Sequence, residues 1–195
     1  MNNFKTQLDR WLASDKVDEA TKALLSAYSD EEAAVAMNGY MSFGTAGLRG
    51  VIGAGTNRMN IYTVGQATQG LADYLNETFE EPTVAIAYDS RIKSDKFAEC
   101  AAGVLAANGI KVYIYPELMP TPMLSFAVRR LHCSSGIVLT ASHNPSKYNG
   151  FKCYDPTGYQ ITDEAAAKTY DYMKKVDMFD GVKRMSFEDA LAEDM

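Results

Sequence analysis

The sequence predicts an α/β fold, a mixed, mainly parallel sheet with helices on both faces, preceded by an N-terminal helical extension. Three observations carry that prediction. Strand-like and helix-like segments alternate from Thr83 to Thr140, a glycine-rich run precedes them, and the opening of the chain repeats apolar residues at helical spacing. In residues 1–40, Phe4, Leu8, Trp11 and Leu12 mark one helix, and Leu24, Leu25 and Tyr28 continue the stripe. Ser29 with Glu32 three residues on predicts a capping box, and Gly39 a stop. From Met41 to Thr56, glycines at 44, 47, 50, 53 and 55 predict a loop or bent strand. Ile61, Val64, Leu71, Tyr74 and Leu75 then share one face of an amphipathic helix that would cover the sheet.

The central stretch is the clearest. Thr83–Tyr88 is β-branched and apolar, Asp95–Asn108 is helical with Gly109 at its C-cap, and Lys111–Tyr115 is strand-like. After Pro120-Thr121-Pro122, Leu124, Val128 and Leu131 predict a short helix, and Gly136–Thr140 a third buried strand. Right-handed crossovers make this β-α-β-α-β run a parallel sheet, in which ligands gather beyond the carboxyl ends of the strands. Asp89-Ser90-Arg91, Pro120-Thr121-Pro122 and Ala141-Ser142-His143-Asn144 therefore converge on one edge. Further on, Phe151–Tyr154 reads as a strand, Asp155-Pro156-Thr157-Gly158 as a turn, Thr162 as the N-cap of a helix reaching Lys175, and Phe187–Leu191 as a last short helix. The implied division is a helical extension over 1–40, an α/β domain over 41–180, and the start of a linker over 181–195.

A chain of 195 residues, 47% hydrophobic, can bury a core without staples, and its net charge of -6 gives no support to nucleic-acid binding. An anionic ligand would have to be drawn by a local cluster of cations and backbone amides. Cys100, Cys133 and Cys153 are too few and too scattered for a disulfide framework or a zinc site. With neither a signal-like apolar start nor a membrane-length stretch, no membrane partner and cytoplasmic residence are expected.

As bare chemistry, Ser142 sits in a tight polar turn after a buried strand, beside the titratable His143. Position alone fits two readings: a serine that satisfies its own turn, or a fixed, exposed nucleophile. No G-x-S-x-G elbow surrounds it, which argues against a hydrolase of that type. Lys152 is equally open, as a solvated lysine or a base, and His143 as a turn-bonding or proton-transferring group. The order of glycines in Gly50-Val51-Ile52-Gly53-Ala54-Gly55 differs from a dinucleotide loop, so no nicotinamide cofactor is expected.

The residues around Ser142 read Thr140-Ala-Ser-His-Asn-Pro-Ser-Lys-Tyr148-Asn149-Gly150-Phe151-Lys152. This run resembles the phosphoserine loop of the α-D-phosphohexomutase superfamily at every position that the family's T-A-S-H-N-P-x-x-Y-N-G-x-K pattern specifies. Phe43-Gly44-Thr45-Ala46-Gly47-Leu48-Arg49-Gly50 resembles the G-T-(S/A)-G-L-R segment of the same family, Asp89-Ser90-Arg91 its D-x-R element, and Pro120-Thr121-Pro122 its P-T-P turn. The N-terminal lead with Trp11 and the run Arg58-Met59-Asn60-Ile61 are more similar to the bacterial-type phosphoglucomutase and phosphopentomutase branch.

The resemblance implies that Ser142 carries a phosphoryl group, donates it to a hexose phosphate and recovers one from a bisphosphosugar. It implies Lys152 as general base or acid, its pKa lowered by Arg49, and His143 as an aid to proton transfer. Thr45, Gly47 and Arg49 would bind phosphate and substrate beside Ser142. Asp89, Arg91 and Asn144 would support the loop, and Asp89 and Arg91 would help hold the lysine.

The implied activity interconverts hexose 1-phosphate and hexose 6-phosphate, with glucose as the expected sugar, through hexose 1,6-bisphosphate and with Mg²⁺. Of the Mg²⁺ ligands, Ser142 would supply an oxygen through its phosphate; the family's D-G-D-G-D-R loop and its G-E-x-S-G sugar-reading loop are missing from this sequence. The chain is therefore expected to be one domain of a longer mutase, catalytically incomplete alone. Its partners would be a phosphosugar, the remaining domains and, through apolar surface left bare, other copies of itself. The alternative is a standalone phosphosugar-binding or interaction domain without catalysis.

Overall fold

The computed structural model describes residues 4–44 and 46–195. Three short helices come first: α1 (Phe4–Ala13), α2 (Glu19–Ser26) and α3 (Asp30–Met37). The box at the start of α3 forms as read: Ser29 Oγ accepts from Glu32 N at 3.2 Å, and the Glu32 carboxylate accepts from Ser29 N at 2.9 Å. The rest follows as β1 (Gly47–Val51), α4 (Ile61–Thr78), β2 (Thr83–Tyr88), α5 (Ser94–Ala107), β3 (Lys111–Ile114), α6 (Thr121–Arg130), β4 (Ser135–Leu139), β5 (Tyr148–Tyr154), α7 (Asp163–Lys175) and α8 (Phe187–Ala192).

The five strands form one mixed sheet in the order β1-β5-β4-β2-β3. β3, β2 and β4 run parallel, as the β-α-β-α-β reading requires, while β5 and β1 add on antiparallel beyond β4. The glycine-rich run takes the strand form of its two expected readings, and β5 begins at Tyr148 rather than Phe151. Both follow from one pairing: β1 joins β5 from Gly47↔Lys152 to Val51↔Tyr148, an association of distant segments that local periodicity does not encode.

Strand alternation sends side chains to two different cores. Ile86, Ile137, Leu139, Phe151 and Leu48 pack under α4, α5 and α7. Ala85, Ala87, Val138 and Tyr154 meet Leu124, Ala127 and Val128 of α6. α6 is thus the cover of the second face, and it lies over β2 and β4. Arg49 and Lys152 alternate with Leu48, Phe151 and Cys153, so they emerge on that second face, beyond the α6 cover.

A separate small core joins the N-terminal helices to the body. Trp11 meets Tyr62 at the start of α4 and Phe179 after α7 edge-on, at centroid distances of 5.1 and 5.4 Å. Residues 181–195, expected to open a linker, carry α8 and lie against α5, where Met185 N donates to Gly103 O at 3.2 Å. The three cysteines are free, and no helix among the described residues is long and apolar enough to cross a membrane.

Candidate active site

The loop between β4 and β5 is built from short internal bonds. Thr140, buried at the end of β4, donates its N–H to Gly150 O at 3.0 Å, and its Oγ1 accepts the N–H of Ser142 at 2.9 Å. Asn144 N donates to Ala141 O, and Tyr148 N to Pro145 O. Within this frame Ser142 adopts φ +55°, a left-handed conformation that costs a non-glycine residue on the order of 1 kcal/mol or more. The exposed Ser142 places Oγ 3.4 Å from Nδ1 of His143.

One guanidinium holds the loop in that shape. Arg91 Nη1 donates to Pro145 O and Tyr148 O at 3.2 and 3.1 Å, and Nη2 donates to Ser142 O and, at 2.7 Å, to Asn144 O. Its Nε lies 3.5 Å from Asp89 Oδ2. Only the planar arginine fork can present donors in this arrangement. Asp89 is itself fixed, since Oδ1 accepts from Arg91 N and from Ser94 Oγ at 3.0 and 2.9 Å. Neither Asp89 nor Arg91 forms a hydrogen bond or ion pair with Lys152 among the described residues. They follow β2, and β4 lies between β2 and β5, so they hold the serine loop and not the lysine.

Two supporting residues escaped sequence reading. Ser94 and Asn149 are fully buried, and Asn149 Nδ2 donates to Ser94 Oγ and to Ile92 O, both at 3.0 Å, while its Oδ1 accepts from Gly150 N at 2.8 Å. The chain thereby links the Asp89 turn to β5 through a fully satisfied buried network. No local pattern marked them, since Asn149 precedes the strand expected from Phe151 and Ser94 the helix expected from Asp95.

Arg49 and Lys152 come from the β1–β5 pair. Gly47, φ +147°, lies opposite Lys152; a Cβ there would sit 1.8 Å from Phe151 O, so no larger residue lets β1 approach this closely. Arg49 Nη1 donates to Asn144 Oδ1 at 3.1 Å, which ties β1 to the serine loop. Burial and then the charge of Arg49 lower the pKa of Lys152 below the ordinary lysine value, so the neutral amine is easier to form. Arg49, Gly47 and Lys152 line a cavity of about 330 Å³ with Ser42, Gly44, Ala46, Leu48 and Gln160.

The structure therefore brings Ser142 together with His143 and Arg91, and Arg49 together with Asn144 and Lys152. Thr45 lies outside the described residues. No group of three or more His, Cys, Asp and Glu side chains among the described residues is placed to hold a metal ion.

Comparison with known proteins gives a consistent picture. Residues 40–179 match the sequence model of "Phosphoglucomutase/phosphomannomutase, alpha/beta/alpha domain I". A phosphoglucomutase of Staphylococcus epidermidis is 41% identical over 175 residues, 90% of this chain and 31% of that protein. One of Staphylococcus aureus is 42% identical over 159 residues, 82% of this chain and 29% of that protein. A crystal structure from Thermus thermophilus, provisionally named a phosphomannomutase, superposes with TM-score 0.66 at 34% identity, over 80% of this chain and 35% of that one. The chain thus spans about 31% of the length of the curated relatives it matches.

Proposed function

Because the chain belongs to the phosphoglucomutase/phosphomannomutase family, as its alpha/beta/alpha domain I, we propose that it is the phosphoryl-carrying domain of a phosphosugar mutase, with Ser142 as the carrier. The observation that supports this most is the clamp of Arg91 on the carbonyls of Ser142, Asn144, Pro145 and Tyr148. It rigidifies an exposed left-handed serine, and phosphoryl transfer depends chiefly on such positioning and on charge stabilisation.

In the proposed step the P–Oγ bond of phosphorylated Ser142 breaks as a bond forms between phosphorus and a sugar hydroxyl oxygen. The hydroxyl proton passes to the neutral amine of Lys152, and Oγ of Ser142 takes up a proton through His143. The product is a hexose 1,6-bisphosphate, and the reverse step with its other phosphoryl group regenerates the carrier. The guanidinium of Arg49 faces the phosphate charge. Hexose 1-phosphates and 6-phosphates, with glucose expected, are the substrates of the whole enzyme.

Mg²⁺ would supply charge neutralisation on the phosphoryl oxygens. The residues of this chain do not fit a Mg²⁺ site by themselves, because carboxylate ligands of the number such an ion needs are not assembled among the described residues. The metal ligands and the rest of the sugar-binding surface then belong to further domains, with which this chain pairs, and the chain alone turns over little substrate. Cytoplasmic residence suits these substrates, and self-association of the isolated chain would proceed through exposed Phe126, Leu131 and Leu191.

Incubating the chain with glucose 1,6-bisphosphate and weighing it intact tests the proposal. The wild-type chain gains one phosphoryl group and Ser142→Ala gains none. Catalytic release of inorganic phosphate without retention would instead make the chain a hydrolase.

A further inference from the structure

We propose that Ser42 and Gln160 hydrogen-bond the sugar hydroxyls next to Lys152, so that the cavity at the β1–β5 edge reads the sugar as well as its charge; this rests on the phosphosugar-mutase reading above. The cavity measures about 330 Å³, at the small end of ligand sites. Among the described residues its polar side chains are Ser42, Arg49, Lys152 and Gln160, two cations and two neutral groups with no carboxylate. Such a lining favours a small ligand that is both anionic and rich in hydroxyls.

The sheet explains why these residues meet. Lys152 and Tyr154 point to the same face of β5, and a single antiparallel bridge sets Gln160 opposite Tyr154, which brings Gln160 to the face that carries Lys152. Arg49, two residues from Gly47, shares that face of β1. α6 packs on β2 and β4 and reaches β5 at Tyr154, and beyond it Arg49 is exposed and Lys152 half-buried. Ser42 and Gln160 are exposed, and among the described residues neither side chain has a hydrogen-bond partner. Their capacity is therefore unspent. A carboxamide offers one acceptor and two donors in one plane and can engage two neighbouring hydroxyls of a pyranose, whereas the cations answer only the phosphate. Sites that hydrogen-bond a substrate hydroxyl discriminate strongly against analogues lacking it.

The test is a titration of the ¹⁵N-labelled chain with glucose 1-phosphate, and separately with inorganic phosphate, followed through the side-chain amide signals of Gln160. The sugar phosphate is expected to move those signals and inorganic phosphate to leave them in place. Gln160→Leu should weaken glucose 1-phosphate binding by about tenfold and Ser42→Ala by about threefold, with unchanged folding because both side chains are exposed. If glucose 1-phosphate shifts the backbone signals of Arg49 and Lys152 while the Gln160 amide stays still, or if Gln160→Leu binds as wild type does, the sugar-reading role is overturned and the mutase reading stands. If no sugar phosphate moves any signal and Ser142 accepts no phosphoryl group, the mutase reading fails, and this inference with it.

Discussion

Lys152 shows how one residue's surroundings decide its chemistry. Partial burial on β5 and the neighbouring Arg49 charge both disfavour its ammonium form, so the amine that can accept a proton appears at lower pH than for a free lysine. Transfer from phosphorylated Ser142 to a sugar should therefore rise with pH, along a limb centred below the ordinary lysine pKa. Arg49→Met removes one of the two causes and should move that limb upward, which single-turnover rates across a pH series will show. A limb left in place by Arg49→Met would mean that Lys152 is not the group being titrated. Ser142 contributes a different lesson. Its left-handed backbone has no sequence signature, yet Thr140 Oγ1 on its N–H and Arg91 on its carbonyl hold it there.

At the scale of elements, the site is a loop braced by a turn. Asp89-Ser90-Arg91 follows β2, the serine loop follows β4, and the parallel pairing of β2 with β4 sets them side by side. Arg91→Lys keeps the charge and loses the fork, so carbonyls of the loop lose their donors; a stability loss of about 1–2 kcal/mol is expected. Hydrogen exchange should quicken in residues 140–148 ahead of the rest, and phosphoryl uptake by Ser142 should slow. An unchanged exchange pattern would show that Arg91 does not clamp the loop.

The same scale shows what the sequence makes legible. The β2-α5-β3-α6-β4 run announced itself through local periodicity, and with it the convergence of Arg91 and Ser142 on one edge. The capping box of α3 and the N-cap Thr162 were equally local, set by residues three apart. β1 stayed open between loop and bent strand because its strand character comes from pairing with β5, roughly a hundred residues on. For the same reason Asn149, Ser94, Ser42 and Gln160 carried no visible role: each is defined by neighbours that only the folded sheet supplies.

For the molecule as a whole, the N-terminal helices form a layer closed by Trp11, Tyr62 and Phe179 and by the Arg10–Asp177 pair at 2.5 Å. Burial would push the Asp177 carboxyl up, but hydrogen bonds from Arg10 and from the backbone of Asp180 and Phe179 outweigh it and hold the pKa at about 2. A carboxylate whose pKa falls on folding contributes stability above its unfolded pKa of about 3.9 and loses it as pH drops toward the folded value. Since the pair is well exposed, about 1 kcal/mol is expected at neutral pH. Asp177→Asn should lose that amount at pH 7 and converge with wild type near pH 2, as denaturant melts at the two pH values will reveal; equal stability at pH 7 would show that the pair does nothing for the layer.

The fold presents an exposed serine on a clamped loop, with Arg49 and Lys152 on the neighbouring β1–β5 edge. The most direct measurement is to locate the phosphate by peptide mapping after the chain has met glucose 1,6-bisphosphate. A single phosphoryl group is expected on the peptide containing Ser142, and none elsewhere. Phosphate on another residue, such as Ser146 or Ser90, or on none, would contradict it.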